Sequence, residues 1–333
     1  MSIPDHSPYD TQGHSPESPE ERRKRAIRLG HPIAEPGLWL AKAVQVIRRV
    51  AIGTFYDGFI HAGNLAYMSL LSLFPFFITL TAILSLFGHS EQGGAALEGF
   101  LRTVPPSVAG TLEQPVRDVL AARNGWLLWL GGLFGLWTAG SLIETVRDIL
   151  RRAYGTRPGH AFWTYRLGSI GMIIAAVLLL MLSFSAQIVI TGMQQAIAYL
   201  APQLAHWLDS LALSRLVPAI GLFVALYLLF LSLTPRQYLP RRYPKWPGAL
   251  LTTIWWVAVT AILPLVLRNL IAYDLTYGSL AGVMIVLFFF YLVGLGMVIG
   301  AELNAALAET PEEHDSIGQT DDRNRREQQQ WAD

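Results

Sequence analysis

Six polar side chains stand at the ends of long apolar segments, and their chemistry is the first clue to what this chain does. They are Asp57, His61, Asn64, Glu144, Glu302 and Asn304. A carboxylate or amide at membrane depth costs about 3 kcal/mol on insertion scales, so such groups normally face the interior of a helical bundle. There they bind polar substrates or pass protons, and we predict that these six line a polar cavity.

The spacing of these residues supports a shared location. The first three are spaced i, i+4 and i+7, which places them on one face of a helix. Glu144 follows the second apolar segment, and the last two follow the final segment. With alternating spans, all three places fall at one depth. In the alternative interpretation, Glu144 and Glu302 pair with arginines such as Arg147 at the interface and merely end their helices.

Six apolar segments must position these side chains. They are residues 62–87, 125–143, 167–190, 216–234, 246–267 and 279–301. A helix rises about 1.5 Å per residue, so the last segment spans roughly 30 Å, the thickness of a bilayer core. Its apolar residues do not alternate with period two, as a membrane barrel would require. We predict an all-α polytopic membrane protein, a bundle of six transmembrane helices.

Composition excludes several classes of function. Apolar residues make up 52% of the 333-residue chain and charged residues 15%, against about a quarter charged in soluble proteins. Without cysteine, thiolate metal sites and cysteine nucleophiles are excluded. The eight histidines are scattered, and the sequence contains no G-x-x-x-x-G-K, H-E-x-x-H or G-x-S-x-G pattern. We predict no catalytic residues, no metal, no cofactor and no nucleic-acid partner.

The remaining segments define the domain organisation. Residues 1–36 and 308–333 are rich in charge and lack apolar periodicity, which predicts disordered tails around a membrane domain of 37–307. Residues 88–124 contain two amphipathic patterns split at Pro105 and Pro106, which predict a small helical cap outside the bilayer. Lys and Arg concentrate on the side of the tails, so both termini should be cytoplasmic and the cap external.

Three stretches resemble one family of bacterial proteins. They read AGNLAYMSLLSLFP at Ala62–Pro75, LWTAGSLIETVRDILRRAYG at Leu136–Gly155 and YGSLAGVMIVLFFFYLVGLGMVIGAELNA at Tyr277–Ala305. This pattern is similar to the YihY family, also called the virulence factor BrkB family, over roughly Val44–Leu307. The resemblance implies a six-span protein of the bacterial inner (plasma) membrane. It implies no settled activity, although family members have been labelled ribonuclease BN.

These observations favour a non-ATP-driven transporter or lipid-handling protein with a cytoplasm-facing polar cavity. Membrane lipids are the expected partners, and the basic loop 236–245 would attract anionic phospholipid. The alternative is an envelope-associated structural or regulatory protein without transport, and a membrane-bound ribonuclease is the least favoured. A translocator needs a polar path leading outward from Glu144 and Glu302, whereas a scaffold would fill that space with apolar side chains.

Overall fold

The computed structural model describes residues 15–29, 39–86, 92–121, 125–156, 166–174, 213–269 and 280–308, and the regular structure in these ranges is entirely helical. The helices are α1 Pro19–Leu29, α2 Trp39–Gly53, α3 Phe59–Leu86, α4 Gln92–Leu101, α5 Pro106–Ala121, α6 Gly125–Tyr154, α7 Leu213–Leu233, α8 Trp246–Asn269 and α9 Ala281–Ala306. A π-helical turn, Thr54–Gly58, joins α2 to α3. Residues 166–174 are also helical. The predicted all-helical fold is therefore confirmed.

Three described helical stretches are long and apolar enough to cross a membrane. They are Phe59–Leu80, Trp246–Leu267 and Ala281–Ala306, at the predicted first, fifth and sixth spans. The predicted fourth span coincides with α7 and the predicted second span with the first part of α6. Most of the predicted third span lies outside the described residues, so a total of six spans stays a prediction.

Glycine lets the long helices approach one another closely. The start of α3 runs antiparallel to the end of α9, with Gly294 so close to Ala62 that a Cβ on the glycine would lie 2.9 Å from the Ala62 carbonyl oxygen. Gly300 is similarly packed against α8, because its Cβ would lie 2.2 Å from Thr252 Oγ1. Small residues permit this packing in lipid, where apolar side chains gain little from one another.

The α1 helix identifies one end of the bundle, which we call the α1 end. Arg22 in α1 is 1% exposed, and its Nη2 donates to the carbonyl oxygens of Ala305 at 3.2 Å and Ala308 at 2.9 Å. The last four carbonyls of a helix lack partners within it and carry partial negative charge, so a buried guanidinium stabilises the end of α9. Predicted disorder is therefore wrong for residues 15–29, while the other tail residues, apart from Ala308, lie outside the described ranges.

Further contacts attach α1 to the loop between α7 and α8. Glu20 Oε1 accepts hydrogen bonds from Tyr238 Oη at 2.7 Å and Gln237 Nε2 at 2.8 Å. Burial, and then the bond to the Glu20 carboxylate, raises the pKa of the Tyr238 phenol above its ordinary value. The phenol therefore remains protonated and able to donate. The helix α1 thus ties together elements that are distant in the sequence.

Replacing Arg22 by glutamine should release α1. Hydrogen bonds from a charged donor contribute about 1.5–3 kcal/mol, so amide exchange over residues 19–29 should accelerate by roughly tenfold or more. Hydrogen-exchange mass spectrometry of the detergent-solubilised protein measures this rate. The matched control is Arg25→Gln, because Arg25 is exposed and its described bond reaches only Pro16 within the same segment. Equal exchange in both variants would contradict the role of Arg22.

The α4–α5 hairpin packs more deeply than a cap. Its two helices are split at the prolines as predicted, but Trp256 Nε1 donates to the Thr103 carbonyl in the turn, at 2.9 Å. Trp256 lies ten residues into α8, which is about 15 Å along the helix axis and near the middle of the candidate span Trp246–Leu267. The two predicted helices therefore form a hairpin whose turn packs into the bundle, and its position outside the bilayer stays a prediction.

Candidate functional site

A small polar pocket lies at the α1 end, where the π-helical turn, α3, α6 and α9 meet. Its lining includes His61 and Glu302, two of the predicted site residues, together with Tyr56 and Arg152. The space accessible between these side chains is about 20 Å³, enough for roughly one water molecule. The structure therefore brings an imidazole, a carboxylate and a guanidinium from three helices to one enclosed place.

The π-helical turn shapes this pocket. It carries Asp57 and follows Gly53 directly. A Cβ on Gly53 would lie 2.1 Å from Glu302 Oε2, so only glycine lets the carboxylate rest against the backbone there. On the other side of the turn, a Cβ on Gly58 would lie 2.9 Å from Val298 Cγ1. Single π turns inside α-helices are rare and often occur at functional sites, a signal that the sequence pattern did not show.

Glu144 belongs to a second cluster, between α6 and residues 166–174. Its Oε1 accepts a hydrogen bond from Ser169 Oγ at 2.7 Å and pairs with Arg147 Nη1. The Glu144 side chain is 26% exposed and that of Arg147 is 11% exposed. Glu144 is not among the residues that line the pocket of His61 and Glu302. The contacts of Glu144 therefore agree with the alternative interpretation given above, in which this carboxylate pairs with an arginine.

Arg166 completes the second cluster, and the sequence analysis missed it. It is 3% exposed, its guanidinium stacks on the Trp137 ring at 3.9 Å, and Nη1 donates to Ser141 Oγ at 3.1 Å. The same guanidinium donates through Nη2 to the Trp137 carbonyl. One signal was present in the sequence, an arginine directly before an apolar segment. An arginine at such a place indicates the orientation of a span, but it does not by itself predict a buried contact.

The two asparagines take different positions. Asn304 is 1% exposed; its Oδ1 accepts from the Gly248 amide at 2.8 Å and its Nδ2 donates to the Lys245 carbonyl at 3.1 Å. The first amides of a helix lack partners within it, so Asn304 caps the start of α8. Asn64 is exposed on α3 and does not line the pocket. Their predicted role in a cavity has no support from these contacts.

Lys245 is a further buried polar residue that the sequence analysis did not single out. It is 4% exposed, and Nζ donates to the carbonyls of Leu239 at 2.7 Å and Pro240 at 3.0 Å. Burial lowers the pKa of this ammonium group. The side chain holds the loop before α8 in place, next to the carbonyl that Asn304 contacts.

The side chains that line the pocket include groups that can exchange protons and groups that can bind polar partners. Among the described residues, no group of three or more histidine, aspartate or glutamate side chains is placed to hold a metal ion. A carboxylate near an imidazole can exchange a proton or bind a polar group, and a neighbouring guanidinium can attract an anion.

A sequence model of the virulence factor BrkB family matches residues 56–325, which include the helices α3 to α9. The chain belongs to the virulence factor BrkB family. It is 31% identical over 273 residues to the ribonuclease-like protein YfkH of Bacillus subtilis (strain 168), covering 76% of this chain and 91% of that relative. No solved structure matches this chain.

Other members of the family are named as membrane proteins. The chain is 26% identical over 298 residues to a UPF0761 membrane protein of Stenotrophomonas maltophilia (strain K279a), covering 83% of this chain and 65% of that relative. It is also 26% identical over 255 residues to a UPF0761 membrane protein of Vibrio vulnificus (strain YJ016), covering 75% and 78% of the two chains. Together with the apolar helices, these relatives support a membrane location.

Proposed function

We propose that this BrkB family protein moves a polar solute or a lipid headgroup across the membrane, and that nucleotide hydrolysis does not drive this movement. The observation that carries this proposal is the meeting of His61 and Glu302 in one pocket, at the ends of two apolar helices. Ionisable groups in such helices are costly, and they are retained where they serve a pathway. The proposal assigns the binding role to these two residues, with Arg152 as a neighbouring cation.

The pocket suits a closed state of such a protein. A space of about 20 Å³ holds roughly one water molecule, so cargo larger than water would require the helices around it to separate. The segment that precedes α1 contributes Ser15 to the lining. Movement of α1 away from the end of α9 would therefore open the pocket on this side, and we take α1 to act as its cover.

The orientation in the proposal follows from charge. The segment before the first span, the connections from α6 to residues 166–174 and from α7 to α8, and the C-terminal tail carry most of the lysine and arginine. Under the positive-inside rule, the α1 end faces the cytoplasm and the protein lies in the bacterial inner membrane with both termini inside. The exposed Arg241 and Arg242 would then attract anionic phospholipid.

The second candidate is a structural or regulatory membrane protein that transports nothing. The small size of the pocket and its cover favour this candidate, since a scaffold needs no opening at all. We propose no enzymatic activity, and the name of the Bacillus subtilis relative describes that relative.

Reconstitution tests the choice between these candidates. The purified chain is incorporated into vesicles that carry a fluorescent phospholipid, and an impermeant quencher reports how much label reaches the outer leaflet. In parallel, vesicles with a pH-sensitive dye inside report proton movement under an imposed gradient. A translocator should give protein-dependent change in at least one assay, with heat-denatured protein as the control. A signal equal to that of protein-free vesicles in both would contradict the proposal.

A further inference from the structure

The α4–α5 hairpin, at the end of the bundle opposite α1, has one face that the proposed pocket does not use. We propose that this face lines a water-filled vestibule, which enters the bundle from that end and reaches near the middle of the bilayer. The inference rests on the proposed function and deepens it, because it supplies the second opening that a path across the membrane needs. The vestibule would admit small hydrophilic solutes or polar headgroups.

The depth of the hairpin is fixed at two points. At the turn, Thr103 accepts the hydrogen bond from Trp256, near the middle of the candidate span in α8. Further along α5, Thr111 contacts the start of α9, since a Cβ on Gly282 would lie 2.8 Å from Thr111 Cγ2. Between these points α5 rises from the level of mid-span to the level where α9 begins. The turn therefore lies well inside the apolar thickness of the bundle.

One face of the hairpin is apolar and packs against the bundle. Its buried side chains include Leu97, Val108 and Val116, each 0% exposed, and they form a cluster with Phe77 of α3 and Phe289 of α9. Burying these side chains stabilises the inserted position by about 1.5–3 kcal/mol for each large apolar residue. None of the residues of this cluster lines the pocket at the α1 end.

The opposite face of the hairpin is charged and exposed. Glu98 on α4 and Arg102, the first residue after α4, are both exposed and lie four residues apart, and Arg102 directly precedes Thr103. Nearer the end of the hairpin, Glu113 and Arg117 form an ion pair at 3.0 Å with about half of each side chain exposed. Charges that face hydrocarbon at the depth of Arg102 would cost about 3 kcal/mol each.

The backbone of the turn is covered by protein, so the need for water comes from the charged side chains beside it. Residues 102–105 are not helical, and non-helical backbone at membrane depth is tolerated only where protein covers it or where it lines a water-filled cavity. Protein covers this turn: Val104 and Pro105 are buried, and the amides of Arg102 and Thr103 donate to the carbonyls of Glu98 at 3.1 Å and Phe100 at 2.9 Å. The Phe100 carbonyl also accepts from Thr103 Oγ1 at 2.7 Å. The charged face beside it still requires water.

An apolar surface of the same bundle differs from the charged face of the hairpin. Between α7 and α8 lies a groove of about 550 Å³, lined by apolar side chains such as Ile220, Ile254 and Val257. Its hydroxyl group, on Thr253, donates to the Ala249 carbonyl in its own helix. At comparable depth the bundle therefore presents an apolar surface on α7 and α8 and a charged surface on the hairpin, as expected if lipid meets the first and water meets the second.

Thiol labelling tests the vestibule, because the natural chain contains no cysteine. In the two test variants a single cysteine replaces Arg102 or Glu98. The matched control is Ile254→Cys, because Ile254 is 61% exposed on α8 and lies only two residues from Trp256. Asp118→Cys, at an exposed position near the end of α5, reports access to the hairpin end. An impermeant, charged thiol reagent is applied to intact cells and to inverted vesicles. Size-exclusion profiles in detergent confirm that each variant is folded.

A thiol must ionise in water before it reacts, so Arg102→Cys and Glu98→Cys should react at least about tenfold faster than Ile254→Cys, from the same side as Asp118→Cys. The proposal would be contradicted if Asp118→Cys reacted rapidly while both Arg102→Cys and Glu98→Cys reacted as slowly as Ile254→Cys. The labelling rates are measured independently of the transport rates, so the two proposals can fail separately. A labelled vestibule in a protein that moves nothing in vesicles would preserve this inference and remove the proposed function.

Discussion

Replacing Gly135 by alanine is expected to remove most of the folded protein. The added Cβ would lie 2.1 Å from the Pro75 carbonyl oxygen and 2.2 Å from Thr79 Oγ1. The same hydroxyl bridges the two helices, since Thr79 Oγ1 lies 2.8 Å from the carbonyl of Gly132 on α6. The first of these neighbours is backbone and cannot turn aside, so α3 and α6 would have to separate. We expect a cost of about 3 kcal/mol or more.

The matched control for this prediction is Gly63→Ala in α3. A Cβ on Gly63 would meet nothing within 4 Å, and alanine favours a helix over glycine by about 0.5–1 kcal/mol. The folded yield, measured by fluorescence-detected size exclusion, and the thermal midpoint in detergent should therefore stay equal or rise for Gly63→Ala and fall sharply for Gly135→Ala. Similar values for the two variants would show that α3 and α6 are not packed at this point.

Replacing Asn304 by leucine should be the second most damaging change. The side chain caps α8 with both of its polar atoms in a buried place. Leucine has nearly the same size but would leave the buried Gly248 amide without its partner and would remove one hydrogen bond from the Lys245 carbonyl, which also accepts from the Ala249 amide at 3.4 Å. An unsatisfied buried amide costs about 1–3 kcal/mol and a lost neutral hydrogen bond about 0.5–1.5 kcal/mol, so the free energy of unfolding should fall by about 1.5–4.5 kcal/mol in total.

The thermal midpoint in detergent also measures this effect. Asn64→Leu is the matched control for folding, because Asn64 is an exposed asparagine on α3. A midpoint for Asn304→Leu that equals that of Asn64→Leu would contradict the capping role. In that case the cavity role that the sequence suggested for Asn304 would deserve a direct test.

Much of the bundle could be predicted because backbone amides and carbonyls in lipid must form hydrogen bonds within the protein. A run of apolar residues such as 279–301 must be helical to satisfy its own amides, and α9 covers nearly the same residues. Paired prolines at 105 and 106 interrupt a helix, and the hairpin turn lies there. Its depth could not be predicted, since amphipathic periodicity shows which face is buried but not how far the helices are inserted.

The position of α1 could not be predicted from local sequence either. Arg22 stands in a run of charge that is typical of a solvated tail, but its partners Ala305 and Ala308 lie near the other end of the sequence. Part of the site was predictable, because alternating spans place His61 and Glu302 at one end of the bundle. Glu144 is at that end too, but it pairs with Arg147 only one helical turn away.

Glu302→Gln provides the most direct test of transport through the pocket. The substitution keeps the size of the side chain and removes its charge, and a hydrogen bond to a charged group contributes about 1.5–3 kcal/mol against about 0.5–1.5 kcal/mol for a neutral one. The control is Glu21→Gln, which removes a surface charge paired with Lys24 at 2.6 Å, also at the α1 end. Rates in the vesicle assay are compared at equal amounts of folded, reconstituted protein. We predict that Glu302→Gln lowers the rate at least about tenfold while Glu21→Gln leaves it unchanged; equal rates for both variants and the natural chain would contradict a path through Glu302.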